Sequence, residues 1–172
     1  MQKVLVRNIA ISAILMALGV ILKYYSVTIP PSLRISFFAV PLILAGIIGG
    51  FPYGLITAFG ADLIYGLFLN PYPYNIGFAL SALYWGILGG VFNLIIKRKE
   101  KLPLLVIIIG IFVTSILETH TNVLMTFVLY GTHTAMVDLL QKYLILILKF
   151  PLLVIVIKLL YERVIKKLNL IN

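Results

Sequence analysis

Long apolar runs dominate the chain, broken at short intervals by clusters of Gly, Pro, Asn or basic residues. A helix needs about 20 apolar residues to cross the hydrocarbon of a bilayer. The runs predict six such spans, over residues 4–25, 34–48, 52–69, 76–96, 103–130 and 135–168. The breaks between them read as short connections. Pro30-Pro31 marks an uncharged loop after the first span, and Arg34 is expected to open the second. Gly49-Gly50-Phe51-Pro52 reads as a tight turn, with Pro52 in the first turn of the next helix, where its missing N–H costs nothing. Residues 70–75, the charged run Lys97-Arg98-Lys99-Glu100-Lys101, and Gly131-Thr132-His133-Thr134 supply the remaining connections. Pro151 is expected to kink the last helix beside Lys149.

Composition supports this pattern. Of 172 residues, 62% are hydrophobic and only 11% charged, and the mean hydropathy is +1.14. Soluble domains carry roughly a quarter of charged residues. The expected fold class is therefore an all-α membrane protein, a six-helix bundle forming a single integral membrane domain over residues 1–172. The first span lacks a small-residue cleavage site and reads as a helix rather than a removable signal. A net charge of +9 would suggest nucleic acid in a soluble protein. In a membrane protein it reflects basic cytoplasmic loops instead. Lys3, Arg7, Lys97, Arg98, Lys99, Lys101, Lys158, Arg163, Lys166 and Lys167 fall on one side of the expected topology. Lys23, Arg34, Lys142 and Lys149 fall on the other side or within the membrane. That asymmetry predicts both termini in the cytoplasm, and a multi-pass protein of the cell membrane with no nucleic-acid partner. Cysteine is absent, so thiol chemistry is excluded. No phosphate-cradling glycine loop with a Lys is present. Two histidines, His120 and His133, make no zinc-like cluster.

Candidate chemistry concentrates between Phe59 and Gly90. Asp62 lies inside an apolar run, and an ionisable group there is costly and rarely faces lipid. Asp62, Tyr65 and Leu69 share a helix face. A turn rich in Asn, Pro and Tyr follows, then Ser81, Tyr84 and Trp85, the single tryptophan. Together they suggest the wall and mouth of a small-molecule pocket, although single aromatics near helix ends also form interfacial belts. Glu118, Asn122 and Met125 share another face, with His120 pointing elsewhere. Ala10, Ala13 and Ala17 fall at helical spacing in the first span, a small-residue pattern that permits close helix approach. Such a pattern serves packing within the bundle equally well. Gly86 and Gly90 read as packing positions inside the bundle.

Four stretches in order complete the pattern. They are Ala13-xxx-Ala17; Leu33-Arg34-Ile35-Ser36-Phe37-Phe38 followed by Pro41 and Ala45-Gly46; Gly60-Ala61-Asp62-Leu63-Ile64-Tyr65-Gly66 continuing through Pro71 to Gly77-Phe78-Ala79-Leu80-Ser81-Ala82; and Asn122 followed by Leu129-Tyr130-Gly131. The chain thereby resembles the substrate-binding S components of energy-coupling factor (ECF) vitamin transporters, and within them the folate type. The resemblance implies a high-affinity vitamin-binding subunit, not an enzyme, without a cofactor or metal of its own. Its implied partners are a transmembrane coupling subunit, docked on Ala10, Ala13 and Ala17, and two cytoplasmic ATPase subunits that consume the ATP. The expected substrate site comprises Arg34, Phe38, Asp62, Tyr65, Tyr74, Phe78, Ser81, Tyr84, Trp85, Asn122 and Lys149. Aromatics there would stack on a flat heterocycle, Asp62 would accept N–H bonds, and Arg34 or Lys149 would meet a carboxylate. Asp62 and Lys149 pairing with each other is the other reading. The sequence departs from the folate pattern at Ile76-Gly77-Phe78-Ala79, where the family tends to Pro-Gly-Phe-Thr, and at Thr121-Asn122-Val123, where it favours Leu-Asn-Thr with a nearby Trp. Pyridoxine and hydroxymethylpyrimidine therefore stand as alternative substrates. A self-sufficient secondary transporter, or an intramembrane enzyme using Asp62, Glu118 and His120, are the rival classes.

Overall fold

The computed structural model describes residues 2–29, 33–70, 74–167 and 170. Among the described residues, six helices make up the bundle: α1 (Gln2–Tyr24), α2 (Ala39–Gly49), α3 (Phe51–Ile64), α4 (Ala79–Lys99), α5 (Leu104–Tyr130) and α6 (Thr132–Leu160). A π-helical turn, Tyr65–Leu69, continues α3, and another, Tyr161–Ile165, continues α6. A 3₁₀ turn, Ile76–Phe78, leads into α4. Five of these units are long and apolar enough to cross a membrane.

The second span differs from the expectation. Residues 33–35 are not helical: β2 (Leu33–Ile35) pairs antiparallel with β1 (Val27–Ile29), and Arg34 stands opposite Thr28. β-branched residues at Val27, Thr28, Ile29 and Ile35 favour extended backbone. The helix starts late because Ser36 ends the strand. Its hydroxyl accepts the Phe38 N–H at 3.2 Å and donates to the Leu22 carbonyl at 3.0 Å, much as a capping residue does. What remains of the span is an eleven-residue helix. At 1.5 Å per residue it covers about half of a bilayer core. α2 is sheathed on every side, with Leu42, Ile43 and Ile47 fully buried.

Glycines set how tightly α2, α3 and α4 pack. A Cβ on Gly46 of α2 would sit 2.6 Å from the Gly90 backbone nitrogen and 2.7 Å from the Gly86 carbonyl oxygen, both on α4. Gly54 of α3 abuts the same Gly86 carbonyl. Lipid supplies no hydrophobic drive between helices, so close backbone contact replaces it. Two further glycines make the turns. Gly50, between α2 and α3, has φ +81°, and Gly131, between α5 and α6, has φ +85°. The expected loop over residues 131–134 shrinks to Gly131, since α6 begins at Thr132. Pro151 lies within α6, which runs on past it to Leu160.

Packing divides the molecule. α4 lies against α2, α3 and α5, α1 against α2 and α3, and α5 against α6. The basic groups Lys97, Arg98 and Lys99 close α4 at one end of the bundle. The β1–β2 hairpin and the connection leading to Tyr74 belong to the opposite end, where the site lies.

Candidate functional site

Two adjoining cavities open between the ends of the helices farthest from the basic cluster. The larger, about 330 Å³, is lined by groups including Lys23, Phe38, Asp62, Tyr65, Tyr74, Phe78, Ser81 and Asn122. The smaller, about 180 Å³, runs between α5 and α6 past Ser36, Ser115, Glu118, Thr119, Lys142 and Lys149. Lys23, Phe38, Glu118, Asn122 and Lys142 line both. The larger cavity alone reaches the lower range of small-molecule sites, about 300 Å³.

Charge organises the walls. Of the five acidic residues in the chain, Asp62 and Glu118 line the cavities and Asp138 holds the lining Lys142, each acid paired with a lysine. Asp62, its side chain 2% exposed, pairs with Lys23 from the last turn of α1. Glu118 of α5 pairs with Lys149 of α6 at 3.4 Å. Asp138 pairs with Lys142 at 2.5 Å, one turn along α6, and accepts the Thr126 hydroxyl at 3.0 Å. The Asp62–Lys149 pairing considered from the sequence is thereby corrected. Asp62 faces α1 because α3 packs on α1, while Lys149 faces α5 because α6 packs there. A buried charge left without a partner is strongly destabilising, so each acid is matched by a lysine on its own helix or on the helix packed against it.

Aromatic rings fill the spaces between the pairs. Phe38, at the start of α2, has the Lys23 ammonium 5.2 Å from its ring centroid and that of Lys149 at 5.9 Å. Lys23 also lies 4.9 Å from the Tyr65 ring. These are cation–π distances. Tyr74 lies over Gly66, where a Cβ would strike its ring, and donates its hydroxyl to Asp62 at 3.3 Å. Burial, then the Asp62 charge and that hydrogen bond, push the Tyr74 hydroxyl above the ordinary tyrosine pKa. Asn75 accepts the Gly77 N–H at 2.8 Å and so fixes the turn that carries Phe78. Ser81 spends its hydroxyl on the Phe78 carbonyl at 2.6 Å.

Some expected residues stand elsewhere. Trp85 is completely buried and lines neither cavity, touching the site through Lys149, whose ammonium is 5.7 Å from its ring. Tyr84 bonds Thr121 at 3.2 Å and also lines neither. Arg34 is in β2, one strand away from the helix it was expected to open. Residues 71–73 of the expected turn lie outside the described residues. His120 is exposed on the outer side of α5, bonded to the Ile116 carbonyl, with Tyr143 at 3.4 Å. Ala10, Ala13 and Ala17 are exposed along α1.

Sequence reasoning passed over Lys23, Lys142, Asp138 and Ser115. A tally of charge would have found the first three: three acids and three lysines lie inside the long apolar runs, away from the basic clusters. Ser115 is a different matter. Its hydroxyl, and the Asn122 side-chain oxygen, are buried without a hydrogen-bond partner beside the smaller cavity. Unsatisfied buried polar groups are uncommon and costly, and a ligand's donors would satisfy them.

A helical membrane bundle with a polar, aromatic, charge-balanced cavity at one end has the form of a small-molecule-binding membrane component. The family model described as "ECF transporter, substrate-specific component" matches residues 7–165, and the chain belongs to that family. It is a family of transport components rather than of enzymes. With five helices suited to crossing a membrane, the chain is a multi-pass membrane protein. The fold is similar to the crystal structure of FolT bound with folic acid, with a TM-score of 0.74 over 91% of this chain and 93% of that one, at 24% identity. No curated protein sequence is significantly similar to this chain.

Proposed function

We propose that this protein is the folate-binding subunit of an ECF-type importer, and that the charge-balanced cavity is its vitamin site. The observation that carries this reading is the buried carboxylate of Asp62 together with three lysines, Lys23, Lys142 and Lys149, along two adjoining aromatic-walled cavities. A pterin edge presents adjacent N–H donors, which a carboxylate accepts well, since charge-assisted bonds are the stronger kind. The glutamyl tail carries carboxylates, for which Lys23, Lys142 and Lys149 are the available cations, joined by Arg34 from the hairpin. Phe38, Tyr65 and Phe78 supply ring faces. Asn122 both donates and accepts. Similarity to a folate-bound structure supports the same substrate. Pyridoxine or hydroxymethylpyrimidine has little use for three lysines.

In this reading the termini are cytoplasmic, because the basic residues gather at their end of the bundle, and the cavity faces outward. A coupling subunit docks on the exposed Ala10, Ala13 and Ala17 of α1, and two cytoplasmic ATPase subunits hydrolyse ATP. The protein itself performs no bond chemistry and carries no cofactor. Mass spectrometry of small molecules co-purified in detergent tests the substrate: a folate is expected, and pyridoxine or a pyrimidine in its place overturns the assignment.

A further inference from the structure

Pro151 divides α6 into two halves that are held in different ways. Past it, Leu153, Ile157, Tyr161 and Ile165 are buried in the core, and the Tyr161 hydroxyl accepts the buried Leu102 N–H at 3.1 Å. Before it, over residues 132–150, only Ala135 is buried. The links of this outer half to α5 include a Phe112–Phe150 ring contact beside the proline and three polar ones: Lys149 to Glu118, Tyr143 to His120, and Asp138 to Thr126. Both of its ends are pivots. Pro151 lacks the N–H that would bond the Ile147 carbonyl, and its ring crowds that carbonyl. Gly131 turns with φ +85°, and nothing lies within 4 Å of where its Cβ would be.

Lever length decides what a tilt about Pro151 breaks. Lys149 is two residues from the proline, Tyr143 eight and Asp138 thirteen. At 1.5 Å per residue, a tilt of about 10° moves Asp138 by roughly 3 Å and Tyr143 by roughly 2 Å, but Lys149 by only about 0.5 Å. The Glu118–Lys149 pair survives it, and the Asp138–Lys142 pair travels with the helix because both partners belong to α6. Two hydrogen bonds break, and no ion pair is separated. Lys142, Ile145 and Leu146 of this half form one wall of the smaller cavity, where Ser115 and Asn122 of α5 have unpartnered oxygens. A ligand that bonds those oxygens and touches the α6 wall bridges the two helices, and so binds the closed position better than the tilted one. Such a difference in affinity is what shifts a conformational equilibrium. Taking the two cavities as the folate site proposed above, we infer that residues 132–150 form a helical lid, hinged at Pro151, which swings from α5 to admit the ligand to the smaller cavity and closes once it is bound.

The chain has no cysteine, so spin labels on introduced cysteines test this in lipid nanodiscs. Ile56→Cys, at an exposed position of the glycine-packed α3, serves as a common reference. It is paired with Leu140→Cys on the outer half of α6 or with Ile155→Cys on the inner half, both exposed. Without ligand the Ile56–Leu140 distance is expected to be broad. Saturating folic acid should narrow it and shift it by about 3 Å, as the lever length requires, while the Ile56–Ile155 distance stays narrow and fixed. Pro151→Ala restores the missing helix bond and should narrow the outer distance with no ligand present. A ligand-free outer distance as narrow as the inner one overturns the inference. So does a shift shared by both pairs, or an outer distance that stays broad in Pro151→Ala. Calorimetry on the same labelled proteins separates the two claims. Absence of binding by folic acid defeats the folate reading, while the ligand-free comparison and Pro151→Ala still decide the hinge.

Discussion

At the scale of single residues, Asp62 sets the terms. It is buried at the join of α1 and α3, with Lys23 on one side and the Tyr74 hydroxyl on the other. Asp62→Asn removes the charged acceptor for a ligand edge, at a cost of about 1.5–3 kcal/mol, or roughly ten- to hundredfold in affinity. Isothermal titration with folic acid checks it; unchanged affinity in a folded variant would make Asp62 purely structural. Gly66 is the second sensitive position, because Tyr74 occupies the space a Cβ needs. Gly66→Ala should push the ring off Asp62 and reproduce most of the effect of Tyr74→Phe on binding. The same tyrosine gives a pH prediction. Its pKa is raised in the fold, so its protonated form and its bond to Asp62 persist fully below the ordinary value of about 10, and are lost only as pH rises through the higher one. The difference in thermal stability between wild type and Tyr74→Phe should therefore be flat through neutral pH and shrink only in strong alkali.

At the scale of elements, the helices were legible where an apolar run was long and its ends were punctuated. Helices α1, α3, α4 and α5 fall within a few residues of expectation, and Gly49-Gly50 and Gly131 mark real turns. The second span was misread because residues 33–38 are apolar enough for either structure. The Ser36 hydroxyl, which stops the strand and holds α2 to α1, outweighs that pattern. Ser36→Ala should cost about 1 kcal/mol, the usual worth of a cap, and because Phe38 follows directly it should weaken ligand binding as well. A thermal shift without change in affinity would show that the hairpin and the cavity are independent. The cavity's charge pairs were hidden for another reason. Sequence separation cannot tell whether Asp62 meets Lys23 or Lys149; only the α1–α3 and α5–α6 contacts decide.

At the scale of the whole molecule, the protein has a charge-balanced end that carries the cavity and a basic end, joined by a glycine-packed centre. The alanines of α1 lie on the outside of this assembly. Ala13→Trp should therefore leave ligand binding intact and abolish uptake and co-purification with the coupling subunit. If that face were internal, the added bulk would overpack the bundle and damage binding itself. The central claim is that the cavity between α1, α3, α5 and α6 is the folate site. Titrating folic acid into the wild type and into Glu118→Gln by calorimetry tests it most directly, since Glu118 lines both cavities. One folate per chain is expected, with affinity altered several-fold by Glu118→Gln. Absence of heat with folic acid in the wild type, or binding indifferent to Glu118→Gln, would contradict the account.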